Sequence, residues 1–102
     1  MDKIAIFPGS FDPFTVGHEN IVRRGLKMFD KIIIAVGHNT TKRYFFNIDQ
    51  RVELIKAQFA DEKRVLVEPY ENLTVEFAQQ KNADFILRGI RTAADFEYER
   101  AI

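Results

Sequence analysis

Four short apolar runs alternate with helical segments along this chain, and the alternation limits its fold more than any other feature. The runs lie at residues 4–7, 32–36, 64–68 and 84–87. Their aliphatic, partly β-branched composition predicts strands that are buried on both faces. Strands that alternate with helices form a parallel sheet, because right-handed crossovers connect them. The sequence therefore predicts an α/β fold with a doubly wound parallel sheet and helices on both of its faces.

The segments between the runs carry helix signals. Ile21, Gly25, Met28 and Phe29 recur at the spacing of one helix face. Residues 47–50 have the spacing of a capping box, in which the first and fourth side chains cap the helix start. The same pattern recurs at residues 92–95. Helices are predicted over residues 18–29, 48–59, 73–81 and 92–102.

Length and composition restrict the class of protein. The 102 residues suffice for one domain, and the formal net charge is zero. A neutral chain has no overall field that attracts nucleic acid or a membrane, so any anion site must be local. The absence of cysteine excludes disulfides and thiolate metal sites, and no His, Asp or Glu cluster has metal-site spacing. With no apolar run near the roughly 18 residues of a membrane span, we expect a soluble, cytoplasmic protein.

The connection between the first strand and the first helix is a candidate anion site. It contains Gly9, Ser10, Gly17 and His18. The free N–H groups and the dipole of a helix N-terminus favour phosphate, and glycine lets the backbone approach a ligand closely. An ordinary strand-to-helix turn with a capping histidine fits the same spacing equally well. The segment lacks both the GxxxxGK[ST] and the GxGxxG phosphate-binding patterns.

Parallel strands end on one edge of a sheet, so the loops after them bring their side chains together. A lysine, two arginines, a histidine and a helix N-terminus at that edge predict a polyanionic ligand, such as a pair of phosphorylated substrates. Taken singly, Lys42, Arg43 and Glu99 also fit a solvated surface, whereas Arg88 directly continues a buried strand. The edge residues are Ser10, Phe11, His18, Lys42, Leu73, Thr74, Arg88, Gly89, Arg91 and Glu99.

Residues 9–18, GSFDPFTVGH, resemble the signature of the nucleotidyltransferase superfamily, whose mark is an (H/T)-x-G-H tetrad. Lys42, residues 46–55 (FNIDQRVELI), RGIR at 88–91 and DFEYE at 95–99 make the chain most similar to bacterial phosphopantetheine adenylyltransferases. The resemblance spans the whole chain. It implies a Rossmann-like fold and one nucleotidyltransferase domain over residues 1–102, incomplete at its C-terminus. In that family a further strand and a Ser/Thr-rich ATP-binding segment lie beyond the position of residue 102.

The resemblance also implies an activity. Enzymes of that family transfer AMP from ATP to 4′-phosphopantetheine, with Mg²⁺, and produce dephospho-coenzyme A and pyrophosphate by direct in-line attack without a covalent intermediate. They assemble as hexamers of identical chains. Carried over by position, the resemblance implies catalytic roles for Ser10, His18, Lys42 and Arg88. It implies ATP binding by Ser10, Phe11, His18, Gly89, Ile90, Arg91 and Glu99, and substrate binding by Ser10, Lys42, Thr74 and Arg88.

Two alternatives stay open. A related nucleotidyltransferase with another acceptor has the same first loop, although not Lys42 together with RGIR and DFEYE. A truncated, non-catalytic module that keeps an anion pocket or only assembles with partners fits the end of the sequence within a predicted helix. Ser10 also stands where the family often has threonine, and the hydroxyl group is kept.

Overall fold

A computed structural model describes residues 2–89 and 96–100 of the chain. Strands and helices alternate up to the fourth strand, which confirms the predicted order of the first seven elements with shifted ends. In chain order the elements are β1 (Ile4–Gly9), α1 (Val16–Gly25), β2 (Lys31–Gly37), α2 (Ile48–Gln58), β3 (Val65–Tyr70), α3 (Thr74–Gln80), β4 (Phe85–Gly89) and β5 (Phe96–Arg100).

The strands form one sheet in the order β3-β2-β1-β4-β5. β1 pairs in parallel with β2 and β4, and β2 pairs in parallel with β3. The chain therefore moves outward from β1 to β3 and then crosses back to place β4 on the other side of β1. In such sheets ligands bind beyond the carboxyl ends of the strands, near the change in strand order.

Side chains that alternate along the central strands face two separate cores. Ala5 and Phe7 of β1 pack into the larger core, together with Ile21 of α1 and Ile55 of α2. Ile6, between them, joins the smaller core that contains residues of α3. Because α1 and α2 cover one face and α3 covers the other, the predicted doubly wound arrangement is confirmed.

The predicted fourth helix is wrong where the structure describes it, because residues 96–100 form β5, antiparallel to β4. In sequence, aromatic and charged residues alternate over these positions with the period of a strand. The strand lets Tyr98 pack against Phe29 and Phe85, with ring centroids 5.3 and 5.8 Å apart. The capping pattern predicted at residues 92–95 lies outside the described residues.

The first helix is shorter than predicted. α1 ends at Gly25, and the next residues turn so that the Phe29 N–H donates to the Gly25 carbonyl at 2.9 Å. Phe29 is buried as expected, whereas Met28 is 42% exposed. Separately, none of the helices within residues 2–89 and 96–100 has the length and apolar character needed to cross a membrane.

Candidate active site at the carboxyl edge of the sheet

The loop between β1 and α1 folds around a buried aromatic ring. Phe11 has a left-handed backbone conformation, with φ of 50°, and its side chain is buried. A Cβ atom on Gly9 would lie 2.8 Å from two atoms of the Phe11 ring. Glycine is therefore required at the end of β1 for the ring to pack there. Phe14 packs against Phe11, with ring centroids 5.0 Å apart.

His18 caps α1 through one ring nitrogen. The Thr15 N–H donates to His18 Nδ1 at 2.9 Å, and the His18 N–H donates to Thr15 Oγ1 at 3.3 Å. Because Nδ1 accepts a backbone N–H, the neutral imidazole carries its proton on Nε2. Capping uses Nδ1 only, so the capping and phosphate-binding interpretations of His18 are compatible.

The surroundings of His18 favour its neutral form. The imidazole lies against the rings of Phe7, Phe11 and Phe14, with centroids 6.1, 5.0 and 5.2 Å away. This partial burial lowers the pKa of His18, because an apolar environment disfavours the charged ring. His18 therefore presents a neutral N–H donor at the first turn of α1.

The loop over residues 38–47, the second loop, is joined by the Asp12 carboxylate to the first loop, which lies between β1 and α1. Asp12 accepts hydrogen bonds from the backbone N–H groups of Phe45 and Phe46, the latter at 2.7 Å. Within the second loop, the Asn39 N–H donates to the Tyr44 hydroxyl at 2.9 Å. The predicted capping box at residues 47–50 is present and starts α2. These bonds position the segment that carries Lys42.

A cavity of about 280 Å³ lies where β1, β2 and β3 end. Ser10 from the first loop and Lys42 from the second both line it. Tyr70, at the end of β3, also lines the cavity, and its hydroxyl is 3.1 Å from the Thr74 hydroxyl. Ser10 and Lys42 therefore line one cavity although they are far apart in sequence, and Thr74 contacts it only through Tyr70.

Arg88 and Glu99 lie on the neighbouring β4–β5 pair. The Arg88 guanidinium forms an ion pair with the Glu99 carboxylate, and both side chains are about half exposed, at 57% and 52%. Neither residue lines the cavity that contains Ser10 and Lys42. The structure thus pairs two residues that we expected to contact different substrates.

The end of β4 nevertheless adjoins the helix that begins near His18. A Cβ atom on Gly89 would lie 2.7 Å from Cδ1 of Ile21, one turn further along α1. The end of β4 therefore packs against α1 at Ile21. Ile90 and Arg91, the other ATP-binding residues implied by the resemblance, lie outside the described residues.

Arg51 is a site residue that the sequence analysis missed. It is 1% exposed and lies on the same face of α2 as Val52 and Ile55. Its Nη1 atom donates to the carbonyls of Ser10 at 2.8 Å and Gly37 at 2.9 Å. The signal that could have found it is a charged residue on the apolar face of a helix.

The described part of the chain offers no ready-made metal site. Within residues 2–89 and 96–100, no group of three or more His, Cys, Asp or Glu side chains could hold a metal ion.

Comparisons with known proteins show the family of the chain. A family model described as cytidylyltransferase-like matches residues 6–102. The chain belongs to the cytidylyltransferase-like family. It is 53% identical over 98 residues to phosphopantetheine adenylyltransferase from Flavobacterium johnsoniae, covering 96% of this chain and 64% of that protein. It is 53% identical over 102 residues to phosphopantetheine adenylyltransferase from Cytophaga hutchinsonii, covering 100% and 68%. The chain thus spans about two thirds of these relatives.

Solved structures support the fold of this family member. A bifunctional NMN adenylyltransferase/ADP ribose pyrophosphatase from Francisella tularensis, complexed with AMP and a manganese ion, superposes with a TM-score of 0.58 at 27% identity. The match covers 79% of this chain and 25% of that one. A lipopolysaccharide core biosynthesis protein from Thermoplasma volcanium has a TM-score of 0.65 at 20% identity, covering 84% and 73%. The predicted resemblance and the Rossmann-like fold are both confirmed.

Proposed function

We propose that the protein is an adenylyltransferase that transfers AMP from ATP to 4′-phosphopantetheine, giving dephospho-coenzyme A and pyrophosphate. One observation carries the proposal: Ser10 and Lys42 line one cavity at the carboxyl edge, beside the helix start where His18 offers a neutral donor. The similarity to phosphopantetheine adenylyltransferases over nearly the whole chain supports the choice of substrates.

On the ATP side, His18 donates from Nε2 to the α-phosphate, where negative charge increases in the transition state. Phe11 contacts the nucleotide through its backbone, and the Ser10 hydroxyl lies between the two substrates. The remaining ATP contacts in this proposal come from the end of β4 and the segment that follows it. They are Gly89, Ile90, Arg91 and Glu99.

On the acceptor side, Lys42 and Arg88 hold the phosphate of phosphopantetheine, and Thr74 contacts the pantetheine arm. Arg88 must exchange Glu99 for this phosphate. The exchange is inexpensive because both side chains are about half exposed, and ion pairs in such positions contribute roughly 0–1 kcal/mol. Release of Glu99 at the same time frees a carboxylate for the ATP side.

The reaction needs positioning more than it needs a protein nucleophile. A phosphate oxygen of phosphopantetheine forms a bond to the α-phosphorus of ATP, and the bond from that phosphorus to the pyrophosphate oxygen breaks. The acceptor phosphate is already an anion, so no general base is required. The enzyme aligns the two phosphates and aims donors at the developing charge.

We also propose the setting in which this activity occurs. Mg²⁺ enters with ATP, whose phosphate oxygens are its usual ligands. Residues 1–102 belong to one nucleotidyltransferase domain, and the protein assembles as a homo-hexamer in the cytoplasm, as its resemblance implies. The molar mass of the intact protein from light scattering tests the assembly, and a monomeric mass would contradict it.

An acceptor screen tests the proposed function. The intact protein is incubated with MgATP and 4′-phosphopantetheine, and pyrophosphate and dephospho-coenzyme A are measured. Parallel reactions replace the acceptor by nicotinamide mononucleotide, or ATP by CTP. We expect product only with ATP and phosphopantetheine. Product with another pair would assign a different nucleotidyltransferase activity, and ATP binding without any product would favour the non-catalytic alternative.

A further inference from the structure

Arg51 connects three segments at the carboxyl edge from inside the protein. Its Nη1 donates to the carbonyls of Ser10 and Gly37, and its Nε donates to the carbonyl of Phe46 at 3.1 Å. The Tyr44 ring stacks on the guanidinium, with 3.9 Å from Cζ to the ring centroid. The first loop, the end of β2 and the second loop therefore meet at one buried cation.

Within residues 2–89 and 96–100, no carboxylate forms an ion pair with Arg51, and its buried Nη2 atom has no hydrogen-bond acceptor. Burying an unpaired charge costs free energy, and an apolar side chain of similar volume often stabilises a fold as well or better. A link between loops alone does not require a buried positive charge.

The charge acts on peptide groups that border the cavity. Ser10 and Gly37 both line it, and their carbonyls accept the two Nη1 bonds. The Ser10 carbonyl shares a peptide unit with the Phe11 N–H. A charged donor on the carbonyl polarises the whole peptide unit, which makes its N–H a stronger donor.

We propose that Arg51 is a positioning residue for the nucleotide: it holds the Ser10–Phe11 peptide in place and polarises it toward the phosphates of ATP. The same guanidinium fixes the second loop, so the nucleotide subsite and the Lys42 subsite keep a constant separation. This inference rests on the proposed function in one respect, namely that ATP binds at the first loop.

The test compares Arg51→Met and Arg51→Lys with Arg43→Met in the intact protein. Arg43 is an exposed arginine of the loop before α2, so its loss controls for net charge. The measurements are kcat and KM in the phosphopantetheine assay, the Kd for ATP, and the amide ¹H shift of Phe11. We expect Arg51→Met to lower kcat/KM by about 10²-fold, because a small displacement of the groups that contact the substrates can cost that much. Arg51→Lys keeps the positive charge but lacks the planar guanidinium. Its kcat/KM should lie between those of the wild type and Arg51→Met.

Two readouts separate positioning from a merely structural role. In Arg51→Met the Phe11 amide proton should shift upfield, because the Ser10 carbonyl of the same peptide unit loses its charged donor, and ATP should bind more weakly. In Arg51→Ala, added ethylguanidinium should restore part of the activity. Lost activity with an unchanged Phe11 shift and unchanged ATP affinity would overturn the inference, as would a folded Arg51→Met with normal kcat/KM.

Two further outcomes remain interpretable. If Arg51→Met does not fold, Arg51→Lys carries the same test, because it keeps a buried cation and changes only how the carbonyls of Ser10 and Gly37 are contacted. If the wild-type protein makes no dephospho-coenzyme A, the proposed function fails. The Phe11 shift and the Kd for ATP then still decide whether Arg51 polarises the first loop.

Discussion

His18 is held through one nitrogen of its ring and available through the other. Thr15 fixes Nδ1, and three phenylalanine rings surround the imidazole, so its orientation and its tautomer are set before any ligand arrives. A preorganised donor of this kind loses little entropy when charge develops beside it. The same burial has consequences for catalysis and for stability, which can be measured separately.

Loss of the imidazole should reduce turnover without unfolding the protein. His18→Ala removes one preorganised donor, which typically costs a factor of about 10²–10³ in kcat. Steady-state pyrophosphate release checks the effect, and circular dichroism checks the fold. Asn20→Ala, an exposed change on the same helix, is the matched control and should retain full activity. Unchanged turnover in His18→Ala would remove His18 from the proposed site.

Acid should destabilise the protein partly through His18. Burial lowers the pKa of His18 from its usual 6.5, so below that pH the unfolded chain binds the proton more readily than the folded one. The stability that comes from burying the neutral ring is fully present above pH 6.5 and is lost as the pH falls through the lowered pKa. Urea unfolding between pH 8 and pH 5 should show that the free energy of unfolding falls more steeply in the wild type than in His18→Gln. The same pH dependence in the two proteins would contradict this prediction.

Lys42 should matter for the acceptor more than for the nucleotide. Lys42→Ala removes a charge from the cavity that contains Ser10, so KM for phosphopantetheine should rise by about tenfold or more while KM for ATP changes little. Lys63→Ala, an exposed change in the connection before β3, is the control. A rise confined to KM for ATP would show that the two subsites are reversed.

Turns and helix starts, more than the helices themselves, position the candidate site. Asp12 joins the first two loops, Thr15 starts α1 and Asn47 starts α2, each through side-chain to backbone hydrogen bonds. The Asn47 capping box was readable from the sequence because its partners are local. The Asp12 bonds were not, because they join positions 33 and 34 residues apart.

The close approach of β4 to α1 can be tested by adding a methyl group. Gly89→Ala places a Cβ 2.7 Å from Ile21 Cδ1, and such overpacking costs about 1–3 kcal/mol. Because Ile21→Val removes that atom, Gly89→Ala should cost less in the Ile21→Val background. Chemical denaturation of the four proteins of this cycle measures the coupling. Equal costs in both backgrounds would mean that β4 and α1 are not in contact at this point.

At the scale of the whole molecule, the sheet is covered unequally. β1 and β2 each lie between two strands, and Ile6 and Ile34 are completely buried. In the described structure β5 pairs only with β4, and residues 98–100 are exposed. The ligand-binding edge therefore rests on the buried central strands, whereas each margin of the described sheet is held by a single strand pairing.

Hydrogen exchange should reveal this difference. Amides of β1 and β2 should exchange only through global unfolding, whereas amides of β5 should exchange through local opening at a lower free energy. Native-state exchange at several low urea concentrations distinguishes the two, because local opening depends little on urea. Equal protection of β5 and β1 would contradict this account of the sheet.

The sequence by itself determined the alternation of strands and helices, the parallel sheet, the capped helix starts and the resemblance to one enzyme family. These features are local, since hydrophobic period, caps and motifs depend on neighbours within a few residues. Lys42 and Ser10 were predicted to share an edge because parallel topology leaves few alternatives.

Only the tertiary structure decided what depends on distant partners. Residues 96–100 became a strand because Tyr98 could pack on Phe29 and Phe85. Arg88 forms an ion pair with Glu99 across the β4–β5 pair. Arg51 is buried and donates to carbonyl groups from three separate segments. Such contacts exist only after the chain has closed long loops, so the free energy that selects them is absent from any local stretch of sequence.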